Sequence, residues 1–456
     1  MIGIWPSQQG DNYPYGKRLI KCGMQVKRYI KKYKENIVVN RFVRVFSIDG
    51  LVSASGVLLI PVYLKLMTQS EFGLFNYLLT IITTVSLILN CGLSVAQSKL
   101  YHVYKDDEER GAFLFTLNLI QFLFLSGILF ILYVLKLDYQ VISLLFKNEI
   151  AYESYRHAIF LAIIVSVYSL FLLNYFLTSE KINLVQKYGF LKLILVHGIV
   201  IILLYSMTDD TVLVRLKYAF LIEGLVILVF SYPYLKSMYL RFNLSQAIRS
   251  VKLGFPMMLA AMVGIIINSG DKFFLERYGN FIDLSIYYLA FSLSAVIPVV
   301  FTTVYNIWLP LFFKENDAAV NMIKTKKLIV YLVCFFIVIS LVTILAVKLL
   351  LNFGIISSEY RSVMMVLPIV LLTQILSSIV PLYSNYLIYF EKTYLIPTVG
   401  FMMGVICISL NLWLVPRYGI YGAAASSLLT HLVYLITEYT IVVTYIRKYQ
   451  GLVHAR

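Results

Sequence analysis

The sequence predicts an all-α integral membrane protein, with about 12 transmembrane helices in two parallel-repeat lobes of six helices around a central cavity. The 456-residue chain is 60% hydrophobic and only 14% charged, and its mean hydropathy is +0.82. A soluble domain of this length needs more charge on its surface. A second observation, two related segments 211 residues apart, indicates an internal duplication.

Twelve apolar runs are long enough to cross the hydrocarbon core of a bilayer as helices. Helices are expected because backbone polar groups inside lipid need internal hydrogen-bond partners. The predicted spans are 43–64, 74–98, 111–135, 156–178, 187–206, 212–231, 254–276, 284–312, 324–350, 362–388, 393–414 and 421–446.

The distribution of Lys and Arg predicts the orientation of these spans. With the N-terminus inside, 27 of these residues fall in the inner segments and 11 in the outer ones. Positive charge accumulates on the cytoplasmic side of membrane proteins. We therefore expect both termini in the cytoplasm.

The segments NYFLTSEKINLVQKYGF (174–190) and NYLIYFEKTYLIPTVGF (385–401) share seven of 17 positions. Each would lie on the cytoplasmic turn between the fourth and fifth spans of its half. Six spans precede residue 232 and six follow residue 250, and an even number keeps both halves in the same orientation. The predicted domains are a cytoplasmic extension (1–36), an N-lobe (37–232), a linker (233–253), a C-lobe (254–446) and a tail (447–456).

The N-terminal extension is basic and amphipathic from Met24 onward, whereas residues 1–23 show no helical period and no signal-peptide core. We expect translation to start natively at Met24. The +16 net charge does not indicate nucleic acid, because the basic residues lie in short clusters between apolar runs.

Several catalytic patterns are absent from the sequence: a phosphate-binding GxxxxGK[ST] loop, HExxH, GxSxG and a DxD pair. The four cysteines are scattered without metal-ligand spacing. The predicted outer loops are also short. We therefore expect a conduit, not an enzyme, without a cofactor or a metal.

Three stretches carry a family resemblance: LMTQSEFGLFNYLLTI (66–81), residues 254–297 around SGDKFFLERYG, and LNLWLVPRYGIYGAAASSLLTH (410–431). They resemble the polysaccharide flippases of the multidrug/oligosaccharidyl-lipid/polysaccharide exporter superfamily. The third stretch contains the family's P-x-x-G-x-x-G-A-A pattern. Together the three stretches touch both predicted lobes.

The resemblance implies transport of undecaprenyl-diphosphate-linked oligosaccharide across the bacterial cytoplasmic membrane by alternating access. Such units build O-antigen and its lipopolysaccharide, capsule or exopolysaccharide. The expected partners are this lipid-linked glycan, membrane lipids and other polysaccharide-assembly proteins. Two alternatives stay open: a multidrug/cation antiporter of the same superfamily and, less favoured, a membrane sugar polymerase.

A flippase needs fixed positive charge for the diphosphate and polar groups for the sugars, because both are costly to place in lipid. A polar stripe on the second span contributes the amides of Asn90 and Gln97 to this set. The alternative role of this stripe is to pack helices together. For Lys272 a helical pair with Glu276 is an alternative role. The predicted substrate-binding residues are Arg44, Lys192, Lys272, Asp271, Asn90 and Gln97.

Glu223 and His431 are the predicted ion-coupling residues, and Asp49 on the first span is a third candidate. Glu223 lies about 16 Å into the sixth span at 1.5 Å per residue. Subtracting the 211-residue offset places His431 about one helical turn from Glu223. An ionisable group at this depth indicates function, although a neutral, hydrogen-bonded glutamic acid that only packs helices is the alternative.

Overall fold

The computed structural model describes residues 56, 58–207, 210–315 and 317–454, with side chains described as far as Lys448. The predicted extension 1–36 and the candidates Arg44 and Asp49 therefore lie outside the described residues. The helices are α1 (58–66), α2 (Gln69–Leu89), α3 (Leu93–Leu100), α4 (Asp107–Val134), α5 (Leu137–Leu145), α6 (Tyr152–Thr178), α7 (Ile182–Lys192), α8 (Gly198–Ser206), α9 (Thr211–Leu235), α10 (Leu244–Tyr278), α11 (Phe281–Ser294), α12 (Val296–Lys314), α13 (Ala318–Asn352), α14 (Val363–Tyr389) and α15 (Leu395–His454).

The all-helical class is confirmed, because the described residues contain helices and no strand. Nine of the described helical segments are long and apolar enough to cross a membrane. One of them is α15, which is interrupted at Gly419 (φ 54°, ψ −127°) and so joins two predicted spans. We call the parts before and after Gly419 its first and second arms. The predicted sixth span is α9, a 25-residue helix.

The two copies of the repeated segment fold into the same turn. Glu180 and Glu391 both have a φ of 57°, in the left-handed region that few residues other than glycine adopt. The next amide closes the turn in each copy: Lys181 N–H donates to Phe176 O (2.8 Å) and Lys392 N–H donates to Leu387 O (2.7 Å). Such left-handed turns satisfy the last carbonyls of a helix. The duplication is thus present in the backbone as well as in the sequence.

The second predicted span, 74–98, is not one continuous helix. Its first part is helix α2, which begins at a capping box between Thr68 and Glu71 and ends at Leu89. Cys91 and Gly92 then have φ values of 49° and 66°, and α3 follows. The break exists because Gly92 touches the backbone of α10, where a Cβ would lie 2.1 Å from Gly254 O.

The N-terminal half (to α9) and the C-terminal half (from α10) also meet at the opposite end of the bundle, the predicted outer face. Here α2 lies against α11, and a Cβ on Gly73 would lie 1.9 Å from Phe281 O. Further along the same helices, Thr80 Oγ1 lies 2.5 Å from Tyr288 Oη. The halves therefore touch near both faces of the membrane.

A loop between α5 and α6 is bound by Glu276 of α10 at this outer face. The Glu276 carboxylate accepts hydrogen bonds from the backbone N–H of Lys147 (2.9 Å) and of Asn148 (2.9 Å), and from Asn148 Nδ2 (3.1 Å). Glu276 is 1% exposed. We call this set of hydrogen bonds the outer latch, because it joins the two halves.

The same region contains a buried ion pair within the N-terminal half. Arg156 Nε of α6 donates to Asp138 Oδ2 of α5 at 2.7 Å, and Tyr152 also donates to this oxygen. The Arg156 guanidinium lies over the Tyr133 ring, 4.0 Å from its centroid. This pair holds the short helix α5 against the ends of α4 and α6.

Candidate functional site

Two of the predicted site residues, Lys192 and Glu223, form an ion pair inside the N-terminal half. Lys192 Nζ of α7 lies 2.5 Å from Glu223 Oε1 of α9, and 31 residues separate them in sequence. The Glu223 side chain is 9% exposed and the Lys192 side chain is 38% exposed. Lys192 is therefore partly accessible, whereas Glu223 is enclosed.

A π-helical turn, Leu193–His197, follows Lys192 directly. Such turns hold one extra residue and are frequent at functional sites. The turn directs His197 toward α1, where its Nδ1 lies 2.8 Å from Tyr63 Oη. The result is a second polar contact next to the Lys192–Glu223 pair.

Arg215 of α9 extends this polar region toward the predicted outer face. Its guanidinium carbon lies 3.6 Å from the centroid of the Tyr63 ring and 3.8 Å from that of Phe75. Stacking on two aromatic faces stabilises a cation that has left water. In the part of the chain that the structure describes, Arg215 forms no salt bridge. Sequence reasoning missed this residue, although a single Arg near the start of an apolar span is a signal.

Asp271 and Lys272 form the second buried pair, in α10 of the C-terminal half. Lys272 Nζ lies 3.1 Å from Asp271 Oδ1 and donates to Asn268 O at 2.8 Å. Tyr287 Oη donates to the other Asp271 oxygen, Oδ2. The Lys272 ammonium also lies 4.1 Å from the centroid of the Phe291 ring. With side chains only 3% and 4% exposed, this pair is fully matched and closed to solvent.

Lys272 does not form the helical pair with Glu276 that was the alternative interpretation. Glu276 instead belongs to the outer latch, so its charge is satisfied by backbone amides of the other half. The expected spacing of four residues was present, but the two side chains turn to different partners.

A small cavity lies beside the Asp271–Lys272 pair and contains His431. It has a volume of about 20 Å³, which is space for about one water molecule. His431 Nδ1 lies 2.8 Å from Ser427 O. The polar lining comes from α10, α11, α14 and the second arm of α15, and includes Asn268, Asp271, Tyr287, Thr373, Gln374, Ser377 and His431.

Asn90 and Gln97 are buried near the break between α2 and α3, away from this cavity. Asn90 Oδ1 accepts from Ser94 Oγ at 2.8 Å, and Gln97 Nε2 lies 3.5 Å from Tyr234 Oη. One polar atom of each amide, Asn90 Nδ2 and Gln97 Oε1, has no partner. Their role in substrate binding stays a prediction.

Metal binding has no obvious site in the described residues, since they contain no group of three or more His, Cys, Asp and Glu side chains suited to hold an ion. The site residues described above supply cations, carboxylates, amides and hydroxyls. Such groups bind and release charged or hydroxyl-rich ligands.

A match to a known family shows which group of proteins this chain belongs to. Residues 45–315, more than half of the chain, match the family described as "Polysaccharide biosynthesis protein". The chain belongs to this polysaccharide biosynthesis protein family. A comparison with curated protein sequences finds no match.

Solved structures similar to this polysaccharide biosynthesis protein are membrane transporters and flippases. The lipid II flippase MurJ in an inward closed conformation superposes with a TM-score of 0.65 at 14% identity, covering 87% of each chain. An inward-facing multidrug resistance MATE family transporter of the MOP superfamily gives a TM-score of 0.62 at 14% identity, covering 88% of this chain and 99% of that one. The Vibrio cholerae MATE transporter VcmN in its bent form gives 0.57 at 14% identity, covering 90% and 98%. These likenesses show a MurJ/MATE-like fold, so the chain is a multi-pass membrane protein.

Proposed function

We propose that the protein is a flippase that moves undecaprenyl-diphosphate-linked oligosaccharide repeat units across the bacterial cytoplasmic membrane, with both termini in the cytoplasm. Membership of the polysaccharide biosynthesis family supports the substrate class. The single structural observation that carries the proposal is the Lys192–Glu223 pair, in which a partly accessible lysine is held at mid-span by an enclosed carboxylate.

The pair provides a reversible site for the diphosphate. A diphosphate carries more negative charge than one carboxylate, so it competes with Glu223 for the Lys192 ammonium. Arg215 adds a cation that forms no salt bridge among the described residues. While no substrate is present, Glu223 keeps the charge of Lys192 matched, and an unmatched cation inside the membrane is costly.

Lys272 is a weaker candidate for this contact in the conformation described here. Its ammonium is already bound by Asp271 and by Asn268 O, and its side chain is 3% exposed. The cavity next to it holds about one water molecule, so it is too small for a sugar. The halves must separate before the amides and hydroxyls of α10 and α14 can bind the glycan.

The contacts between the two halves support alternating access. At the predicted outer face the latch of Glu276 and the contact of Gly73 with Phe281 hold α10 and α11 against the N-terminal half. At the predicted cytoplasmic face Gly92 touches Gly254. We infer that transport breaks one set of contacts at a time and so exposes the Lys192 site to one side of the membrane.

Transport of a fluorescent undecaprenyl-diphosphate oligosaccharide by purified protein in vesicles tests the proposal. We expect Lys192→Ala to reduce transport about tenfold or more, since the loss of one charge-assisted contact is worth about 1.5–3 kcal/mol. Lys192→Arg should restore part of the rate because it keeps the charge with a different geometry. Lys187→Ala, an exposed lysine of the same helix α7, is the matched control.

Wild-type transport in this assay must depend on the lipid-linked substrate. If the protein moves organic cations and ignores the glycolipid, the antiporter alternative is correct. Wild-type rates for Lys192→Ala would show that the diphosphate is held elsewhere.

A further inference from the structure

Glu438, in the second arm of α15, differs from every other buried carboxylate in the described residues. Its residue exposure is 0%, and neither of its carboxylate oxygens accepts a hydrogen bond of good geometry from any described residue. The other four buried acids all have partners: Asp138 with Arg156, Glu223 with Lys192, Asp271 with Lys272, and Glu276 with the outer latch. Glu438 is therefore the one buried acid of the described chain whose charge nothing balances.

Among the described residues, the side chains around Glu438 provide no cation. Tyr434 on its own helix and Ser384 on α14 are two neutral neighbours of its carboxyl group, and the Ser384 hydroxyl donates to Val380 O at 3.3 Å. Tyr383 of α14 packs against the Tyr439 ring at 5.4 Å between centroids. The ammonium of Lys326 from α13 lies 5.6 Å from the centroid of the Tyr439 ring and forms no salt bridge with Glu438 among the described residues.

Toward α10 and the first arm of α15 the surroundings are apolar. Tyr434 packs there against a cluster of Ile267, Val399 and Met403. An ionised carboxylate in such surroundings is strongly destabilised unless a partner is present. In the conformation described here, Glu438 must therefore carry a proton or hold a metal cation.

The internal repeat shows how this situation arises. The offset of 211 residues places Glu223 in register with Tyr434, and Glu438 follows one helical turn later on the same face. The same offset places Lys192 in register with Met403. The N-terminal half thus has a lysine opposite its carboxylate, and the C-terminal half has a methionine there.

We propose that Glu438 is a proton-binding site of the C-terminal half, protonated while α14 and α15 enclose it and deprotonated when water reaches it. A proton needs no further ligand, whereas a hard metal cation needs several oxygen atoms around it. No such set of oxygens is bonded to Glu438. The assignment goes beyond the proposed substrate, since it holds for any ligand that the protein moves.

The position of Glu438 connects it to the cavity beside Asp271. His431, Tyr434 and Glu438 are spaced by three and four residues, so they lie on one face of the helix. At 1.5 Å per residue, Glu438 lies about 10 Å along this helix from His431. Separation of the helices that line the cavity would therefore bring water along this face toward Glu438.

Infrared spectroscopy of the full-length protein in lipid provides the test, because a protonated carboxylic acid has a carbonyl band that a carboxylate lacks. We expect wild-type protein to show such a band near neutral pH and Glu438→Gln to lose it. The matched control is Glu108→Gln, which removes an exposed carboxylate at the start of α4 and should leave the band in place.

Two comparisons decide the outcome of this experiment. Spectra in sodium and in choline buffers should be the same for a proton site, and a band that disappears with sodium would instead assign a sodium site and overturn the proposal. A band of equal size in wild type and Glu438→Gln would also overturn it. The variant's thermal melting checks that it is folded, and the substitution of Gln for a protonated Glu should leave melting nearly unchanged.

Discussion

The outer latch offers a direct test of how the closed state is held. Glu276 receives three N–H donors from Lys147 and Asn148 while it is 1% exposed. In Glu276→Gln the size is retained, but the charge is lost and one oxygen becomes an NH₂ group that faces a donor. Each hydrogen bond to a charged group contributes about 1.5–3 kcal/mol, so we expect the closed outer face to lose about 3 kcal/mol, or ~100-fold in population.

Distances between spin labels would measure this change. We choose Leu144→Cys and Ile282→Cys, two exposed positions on either side of the latch, in a protein without its four native cysteines. Glu276→Gln should add a population with a longer distance, whereas Glu149→Gln, an exposed acid in the same loop, should not. Identical distance distributions for Glu276→Gln and the parent protein would refute the reasoning.

Two further predictions concern stability and leak. Gly92→Ala should weaken the contact with α10, because its Cβ would clash with Gly254 O and its φ is +66°. A proton leak in vesicles and a lower melting temperature would reveal this. The control Gly127→Ala, whose Cβ meets nothing within 4 Å, should be neutral or slightly stabilising. Asp138→Asn should lower the melting temperature more than Glu315→Gln does, since Asp138 belongs to a buried ion pair whereas Glu315 pairs with Lys324 at a more exposed site. Equal shifts would contradict this role.

Much of the architecture was predictable because lipid restricts the chain to apolar helices of fixed minimum length. The repeated segment also predicted the same turn twice, and Glu180 and Glu391 confirm it at φ 57°. The break at Gly92 was not predicted. Its cause is the close approach of α10, a contact that no local pattern in the second span records.

The candidate site was predictable as a set of residues and not as a set of pairs. Lys192 and Glu223 were assigned separate roles, one for the diphosphate and one for ion coupling, yet their side chains are in contact. An apolar span fixes the depth of a charge but leaves the direction of its side chain open. Glu438 was missed for the same reason, because only the packing of α14 and α15 shows that it is buried without an ion-pair partner among the described residues.

The two glycine contacts between the halves also have a consequence for the cell's energy supply. A bacterial membrane stores work as differences in ion concentration, and any continuous water path through a transporter would dissipate that store. Without side chains, Gly92 and Gly73 let backbones meet, at Gly254 and Phe281 respectively, which leaves little room for water between these helices. Backbone contacts of this kind form and separate without the repacking of long side chains, so a tight seal and fast reopening become compatible. We expect a larger residue at either position to prevent a tight seal between these helices, with ion leakage as the measurable sign.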